Sequence, residues 1–158
     1  MDPQDRELQE ALAKAIGALR RRERSSAELH AWLIERCYPA AVAEGAIAEL
    51  VEIGELDDER FAFAYAADKR DLSGWGAQRI EGALIDRGIG PALAERAAAA
   101  PHEEELDRAV GLLLAKGEDL ADDGSRTRAL SHLTRRGYDY DLAYEAIRQA
   151  ERAGPRAA

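Results

Sequence analysis

Four guanidinium groups fall within five consecutive positions of this chain, at Arg20, Arg21, Arg22 and Arg24. A guanidinium is planar and permanently charged, and its paired N–H donors match the geometry of carboxylates and phosphates. The run has two readings. It is the solvated last turn of a helix, placed favourably at the negative end of the helix dipole, or it is a contact for phosphate or for an acidic partner surface. Arg79, Arg87, Arg128, Arg135 and Arg136 recur further along. Each carries the same choice between solvent-facing charge and a shared binding role.

The other residue types that could do chemistry are not assembled for it. His30, His102, His132 and Cys37 stand far apart, with none of the spacings that hold a metal ion. The glycines mark helix ends and not a phosphate loop. No serine stands in a histidine–acid context. Asp57-Asp58 has the residue type and position of a helix cap, which explains the pair more simply than a metal site. No catalytic residue, cofactor or metal is expected, so the function class is binding. Phe61 and Tyr65, at i and i+4, belong to a core face. Trp75 sits in a Ser-Gly-Trp-Gly loop and is either a plug between neighbouring units or an exposed contact. Cys37 has no partner cysteine and is taken as structural or incidental.

The elements that must position the arginines are helical. Alanine, leucine, arginine and glutamate dominate, and β-branched residues are few, which favours helix over strand. Asp2-Pro3 opens the first helix as N-cap and N1, and Leu8, Leu12, Ala15, Ile16 and Leu19 mark one face of it. Ser25 and Glu28 form a capping box that starts a second helix directly after the basic run. Tyr38-Pro39 breaks that helix. Val42, Ala46, Ile47, Leu50 and Ile53 trace a third, closed by Gly54. Further along, Phe61, Ala62, Tyr65 and, at its end, Leu72 mark the inner face of the fourth helix, and Asp139 is placed to cap the ninth.

The second helices superpose without gaps at their ends. Leu33-x-x-Arg36-Cys37-Tyr38 matches Leu84-x-x-Arg87-Gly88-Ile89 and Leu133-x-x-Arg136-Gly137-Tyr138. Periods of 51 and 49 residues separate the three leucines, which is the mark of repeated supersecondary units that bury their faces on one another. The chain reads as all-α, with three tandem three-helix repeats in an elongated, curved array. The divisions fall at residues 1–55, 56–101 and 102–152, with a disordered tail over 153–158. Arginine at the equivalent positions 36, 87 and 136 implies a common task, either repeat-to-repeat ion pairs or a basic stripe.

Hydrophobic residues make up 46% of the chain and charged ones 34%, with a formal net charge of −9. A general nucleic-acid coat would be basic. The acidic balance leaves room for a local basic face. No apolar run approaches the ~20 residues of a membrane span, and the N-terminus has no signal-peptide pattern. With a single cysteine, a cytoplasmic location is expected.

Three segments together resemble the RecX family, regulators of the bacterial recombinase RecA. The first is Leu19-x-x-Arg22-x-Arg24-Ser25-x-x-Glu28-Leu29-x-x-x-Leu33. The second is Gly54-x-Leu56-Asp57-Asp58-x-x-Phe61-Ala62, with Tyr65 and Arg70 following. The third is Arg136-Gly137-Tyr138. One departure is Cys37, where the family usually places glycine; another is a shorter and less basic N-terminus. The resemblance implies a non-enzymatic regulator, mainly an inhibitor, of RecA. Its partner would be the RecA filament on single-stranded DNA, with weak or indirect DNA contact, no membrane and a monomeric state. The arginines named above would be the partner- or phosphate-binding candidates. A direct nucleic-acid-binding helical module, or a helical scaffold for another protein, remains the alternative.

The repeat alignment makes a direct prediction. Replacing Leu33, Leu84 or Leu133 by Ala should each cost about 2–5 kcal/mol of stability in urea titrations. A loss under ~1 kcal/mol at all three would refute the alignment.

Overall fold

The computed structural model describes residues 2–154, which form nine α-helices and no strand. They are α1 (Pro3–Arg21), α2 (Ser26–Glu35), α3 (Ala40–Glu52), α4 (Asp58–Ser73), α5 (Ala77–Asp86), α6 (Pro91–Ala98), α7 (His102–Lys116), α8 (Asp123–Arg135) and α9 (Tyr140–Ala153). Local signals set most boundaries. The Asp2 side chain accepts from the Gln4 N–H ahead of Pro3. Ser25 and Glu28 make both halves of the capping box. Asp57 accepts from the Arg60 N–H to start α4, and Gly74 closes it in the left-handed conformation. The expected Asp139 cap is only positional, since its side chain bonds no backbone N–H of α9. Ala153, expected in a disordered tail, is the last residue of α9; residues 155–158 lie outside the described residues.

Each group of three helices closes on its own core. Leu12, Leu29, Leu33 and Leu50 centre the first, Phe61, Ile80, Leu84 and Ile89 the second, and Leu106, Leu133, Tyr138 and Ile147 the third. The three repeat-equivalent leucines, Leu33, Leu84 and Leu133, are fully buried, at 0% exposure. Leu56, assigned by sequence to the second unit, packs with the first core. Leu72 does not continue the inner face of α4. It is 84% exposed, because the helix ends at Ser73 before another turn can cover it. Trp75 is no plug between the first two units. It packs half-buried against the second core.

Among the described residues, neighbouring units meet at helix tips and not along helix faces. The last turn of one second helix abuts the first turn of the second helix before it. At the α5–α8 joint, the Gly76 N–H donates to Arg136 O at 2.8 Å and the Gln78 N–H to Gly137 O at 3.1 Å. The N–H groups that begin a helix and the carbonyls that end one are otherwise orphaned. Here they satisfy each other, with the two dipoles head to tail. At the α2–α5 joint, Ser25 Oγ donates to Arg87 O at 2.5 Å.

A carboxylate from the next unit's first helix completes each joint. Asp58 Oδ1 accepts from the Ser26 N–H at 2.7 Å, and Glu105 Oε1 accepts from the Ala77 N–H at 2.7 Å. The two aspartates of Asp57-Asp58 thus divide their work, one capping its own helix and the other capping α2.

This close approach explains the corner glycines. A Cβ on Gly88 would meet Ala27, and one on Gly137 would meet Arg79. Both residues also take positive φ, 83° and 95°. Cys37 occupies the equivalent corner with φ 65°, yet it is exposed. Among the described residues no other unit packs against this corner, but the left-handed backbone still strains a side chain. Cys37→Gly should therefore raise stability by about 0.5–1 kcal/mol, the strain relief less the extra entropy of glycine in the unfolded chain. Urea titration of the two proteins checks this, and a loss of stability would contradict it.

Candidate partner interface

The arginines singled out by sequence fall into separate places. Arg87 lies at the α2–α5 joint. Its Nε donates to Glu28 Oε1 at 3.1 Å and its Nη2 to Glu28 Oε2 at 3.2 Å, a paired geometry stronger than a single neutral hydrogen bond. The guanidinium also covers Phe61 and Tyr65, 4.8 Å and 5.4 Å from their ring centres. Those rings stack on each other at 6.1 Å. Arg136 lies at the α5–α8 joint, where Nη1 donates to Ser73 O at 2.5 Å. Beside it, the buried Tyr138 hydroxyl donates to Gly74 O at 2.8 Å. At 87 and 136, therefore, the recurring arginine ties one unit to the next. At 36 the arginine makes no contact with another unit among the described residues and lies 3.6 Å from the Trp32 ring centre.

The basic run closes α1. Arg20, Arg21 and Arg22 are exposed, and Arg22 reaches Glu28 only at 3.8 Å. Arg24 differs from its neighbours. It is half-buried, 5.7 Å from the Trp32 ring centre on a ring that also carries Arg36. Its Nε is buried without a hydrogen-bond partner among the described residues. Burial, followed by repulsion from Arg22, holds its pKa below the usual arginine value. The fourth arginine thus braces Trp32 while the first three face outward. Two further exposed positions are Arg79, 4.0 Å from the Trp75 ring centre and 3.5 Å from Arg135 O, and Arg128, which donates to Ser125 Oγ. Arg135 folds back to Ser131 O through Nε.

The structure therefore assembles no single cluster from all nine arginines. It offers a cationic end on the first unit, three arginines at the joints (Arg79, Arg87 and Arg136), Arg24 on Trp32, and a cationic face on α8. Sequence reading passed over Trp32 as the platform beneath Arg24 and Arg36. It also passed over Glu28, Asp58, Glu105 and Gly76 as joint residues. Asp58 and Glu105 both sit in the first turn of a unit's first helix. No group of three or more His, Cys, Asp or Glu among the described residues could hold a metal ion. Nor is any described helix long and apolar enough to cross a membrane.

Comparison with known proteins agrees with this architecture. Residues 11–50 match the family model for the first three-helix domain of RecX, and residues 57–97 match that for the second. The regulatory protein RecX of Mycobacterium avium is 32% identical over 144 residues, covering 88% of this chain and 83% of that protein. The regulatory protein RecX of Bacillus velezensis is 28% identical over 92% of this chain, but the match spans only 57% of its own length. Among solved structures, the crystal structure of RecX from Lactobacillus salivarius superposes with a TM-score of 0.83 at 19% identity, covering 93% of this chain and 98% of that one. At that identity the superposition speaks for the fold.

The two kinds of arginine are separable by measurement. Arg87→Gln removes a charge-assisted pair from the half-buried Glu28 carboxylate, so it should cost about 1.5–3 kcal/mol. Arg20→Gln should stay within ~0.5 kcal/mol. Equal effects in urea titration would contradict the assignment of Arg87 to the joint.

Proposed function

Since the chain belongs to the RecX family, we propose that it regulates the RecA recombinase, mainly as an inhibitor. In this reading a single copy binds in the helical groove of the RecA filament on single-stranded DNA. There it limits ATP hydrolysis, strand exchange and filament growth in DNA repair and the SOS response, with DNA contact weak or indirect. The setting is the bacterial cytoplasm, where such filaments form. The chain acts by occupying a surface and not by catalysis, in keeping with relatives named as regulatory proteins.

One observation carries the proposal: three small units are locked tip to tip by backbone hydrogen bonds and arginine contacts. Locked units hold the cationic end at Arg20, Arg21 and Arg22 in a fixed relation to the face of α8. A filament presents the same protomer surface at regular intervals. A ligand with fixed, spaced contacts can bind more than one protomer at once, and the second contact then forms at high effective concentration. Opposite charge favours association between cationic contacts and DNA phosphate or acidic protein surface. The division at residues 55 and 101 into three such units belongs to this proposal.

Charge reversal at the first unit tests it. Arg20, Arg21 and Arg22 are exposed, so changing all three to Glu should leave the helical circular-dichroism signal intact. Inhibition of ATP hydrolysis and strand exchange by RecA on single-stranded DNA should weaken by at least ~10-fold, about 1.4 kcal/mol of binding. The difference from the parent should shrink as salt rises. A folded variant that inhibits as well as the parent would remove this corner from the interface, and a parent protein without effect on either activity would overturn the reading.

A further inference from the structure

The third unit closes its core differently from the first. After α3 the chain turns back and the Leu56 N–H donates to Leu50 O at 3.1 Å. The Leu56 side chain, 2% exposed, then covers the end of the first core. The match of Leu33 to Leu133 makes Ala150 the equivalent of Leu50. The covering leucine of the third core is Leu120, which comes from the connection between α7 and α8. A cleft of about 720 Å³ is left between that connection and the last turns of α7 and α9. Ala150, Ala153 and Gly154 line it from α9, and their small size leaves the room. Leu113, Leu114 and Leu120 give it an apolar floor.

The rim of the cleft is acidic. Glu118, Asp119 and Glu151 line it, and no lysine, arginine or histidine does. Glu151 is neutralised by Arg126. Among the described residues, Glu118 and Asp119 have no cation within 4.0 Å. One oxygen of Asp119 accepts from the Ala121 N–H at 3.0 Å, which leaves the other open to a ligand. Both α7 and α9 end at the cleft, so two helix C-termini add their partial negative charge. Lys116 and Arg152, the basic residues of those last turns, do not line it.

An apolar floor under unpaired carboxylates repels phosphate and suits a ligand that is apolar at one point and cationic beside it. We propose that this cleft docks a protein partner through a short segment in which a large aliphatic side chain stands next to lysine or arginine. The aliphatic side chain fills the space beside Ala150 and Ala153 and covers Leu114, which is 48% exposed. The cation meets Glu118, Asp119 and the carbonyl end of α7. Burial of apolar area drives the contact, and the charged rim selects the segment. The site does not rest on the RecA reading, and its test contains no RecA. Its charge is opposite in sign to that of the Arg20, Arg21 and Arg22 end, so the two surfaces do not compete for one ligand.

The experiment is a nuclear magnetic resonance titration of the isotope-labelled full chain with the end-blocked peptide Ala-Leu-Lys-Arg-Leu-Ala. Amide shifts are expected at Leu114, Leu120, Ala121 and Ala153, with affinity falling as salt rises. A peptide with serine for both leucines, and one with glutamate for both basic residues, should each bind at least ~10-fold more weakly. The original peptide should lose as much against Leu114→Gln and against the double variant Glu118→Gln/Asp119→Asn. These side chains are exposed, so both variants should keep the helical circular-dichroism signal, and Asp119→Asn retains an oxygen for the Ala121 N–H. Equal binding by the serine or the glutamate peptide overturns the proposal, as does an absence of shifts at the cleft at the highest soluble peptide concentration. Variants that bind as tightly as the parent overturn it too. Resonances of the cleft that move on dilution of the chain alone would assign it to a second copy. A chain ending at Gly154 that binds the peptide at least ~10-fold more tightly than the full chain would assign it to residues 155–158. Either result overturns the assignment to a partner.

Discussion

Everything in this chain hangs on the meeting of two helix tips. Each second helix begins with N–H groups that need acceptors and ends with carbonyls that need donors. At the joints these demands meet across units, Gly76 and Gln78 on the carbonyls of Arg136 and Gly137, and Ser25 on that of Arg87. The bond lengths leave no room for a Cβ at the corner, so Gly88 and Gly137 follow. The arginine just before each glycine is placed to reach the previous unit, and so Arg87 finds Glu28 and Arg136 finds Ser73 O. The next unit's first turn lies alongside, so Asp58 and Glu105 cap the remaining N–H groups. A few backbone contacts thereby determine which residue types stand at six or seven otherwise unrelated positions.

The joints also sort the charge. Arg87 and Arg136 are consumed at the joints, while Arg20, Arg21, Arg22, Arg128 and Arg135 face outward. Against an acidic background, two cationic surfaces remain, the end of the first unit and the face of α8. In a RecX-family regulator whose proposed target repeats along a filament, locked units turn separated weak contacts into one binding surface. The open end at Arg36 and Cys37 fits the same logic. With no other unit against it among the described residues, the arginine lies over the Trp32 ring, and the corner tolerates a side chain at the expense of backbone strain.

Sequence carried the helices and the repeat because both depend on local chemistry. The capping box at Ser25 and Glu28, the Asp2-Pro3 start and the spacing of Leu33, Leu84 and Leu133 are written within a few residues of where they act. The joints are not local. Ser25 meets a carbonyl 62 residues away and Ser26 a carboxylate 32 residues away, and no pattern near either residue announces the partner. Repeat alignment left two tasks open for Arg36, Arg87 and Arg136, and packing separates them. Gly76 looks like a loop breaker in sequence, although its φ of −82° suits any residue. Its glycine is needed because Gly137 lies against it. Trp75 and Leu72 were misjudged for a related reason, since where α4 ends decides what each can touch.

Gly76 therefore gives the most direct test of the account. A Cβ there would lie 2.6 Å from the carbonyl carbon and oxygen of Gly137, while the backbone conformation accepts alanine without strain. Gly76→Ala should wedge apart the second and third units, loosening the Arg136 contact to Ser73 O, and leave the three cores and the outward-facing arginines intact. The measurement is ATP hydrolysis by RecA on single-stranded DNA, titrated with the parent and with this variant, with circular dichroism confirming full helix content in both. Locked geometry predicts that the folded variant inhibits at least ~10-fold less well, or about 1.4 kcal/mol. A folded variant with the parent's potency would show that the tip-to-tip joints do not set the binding surface.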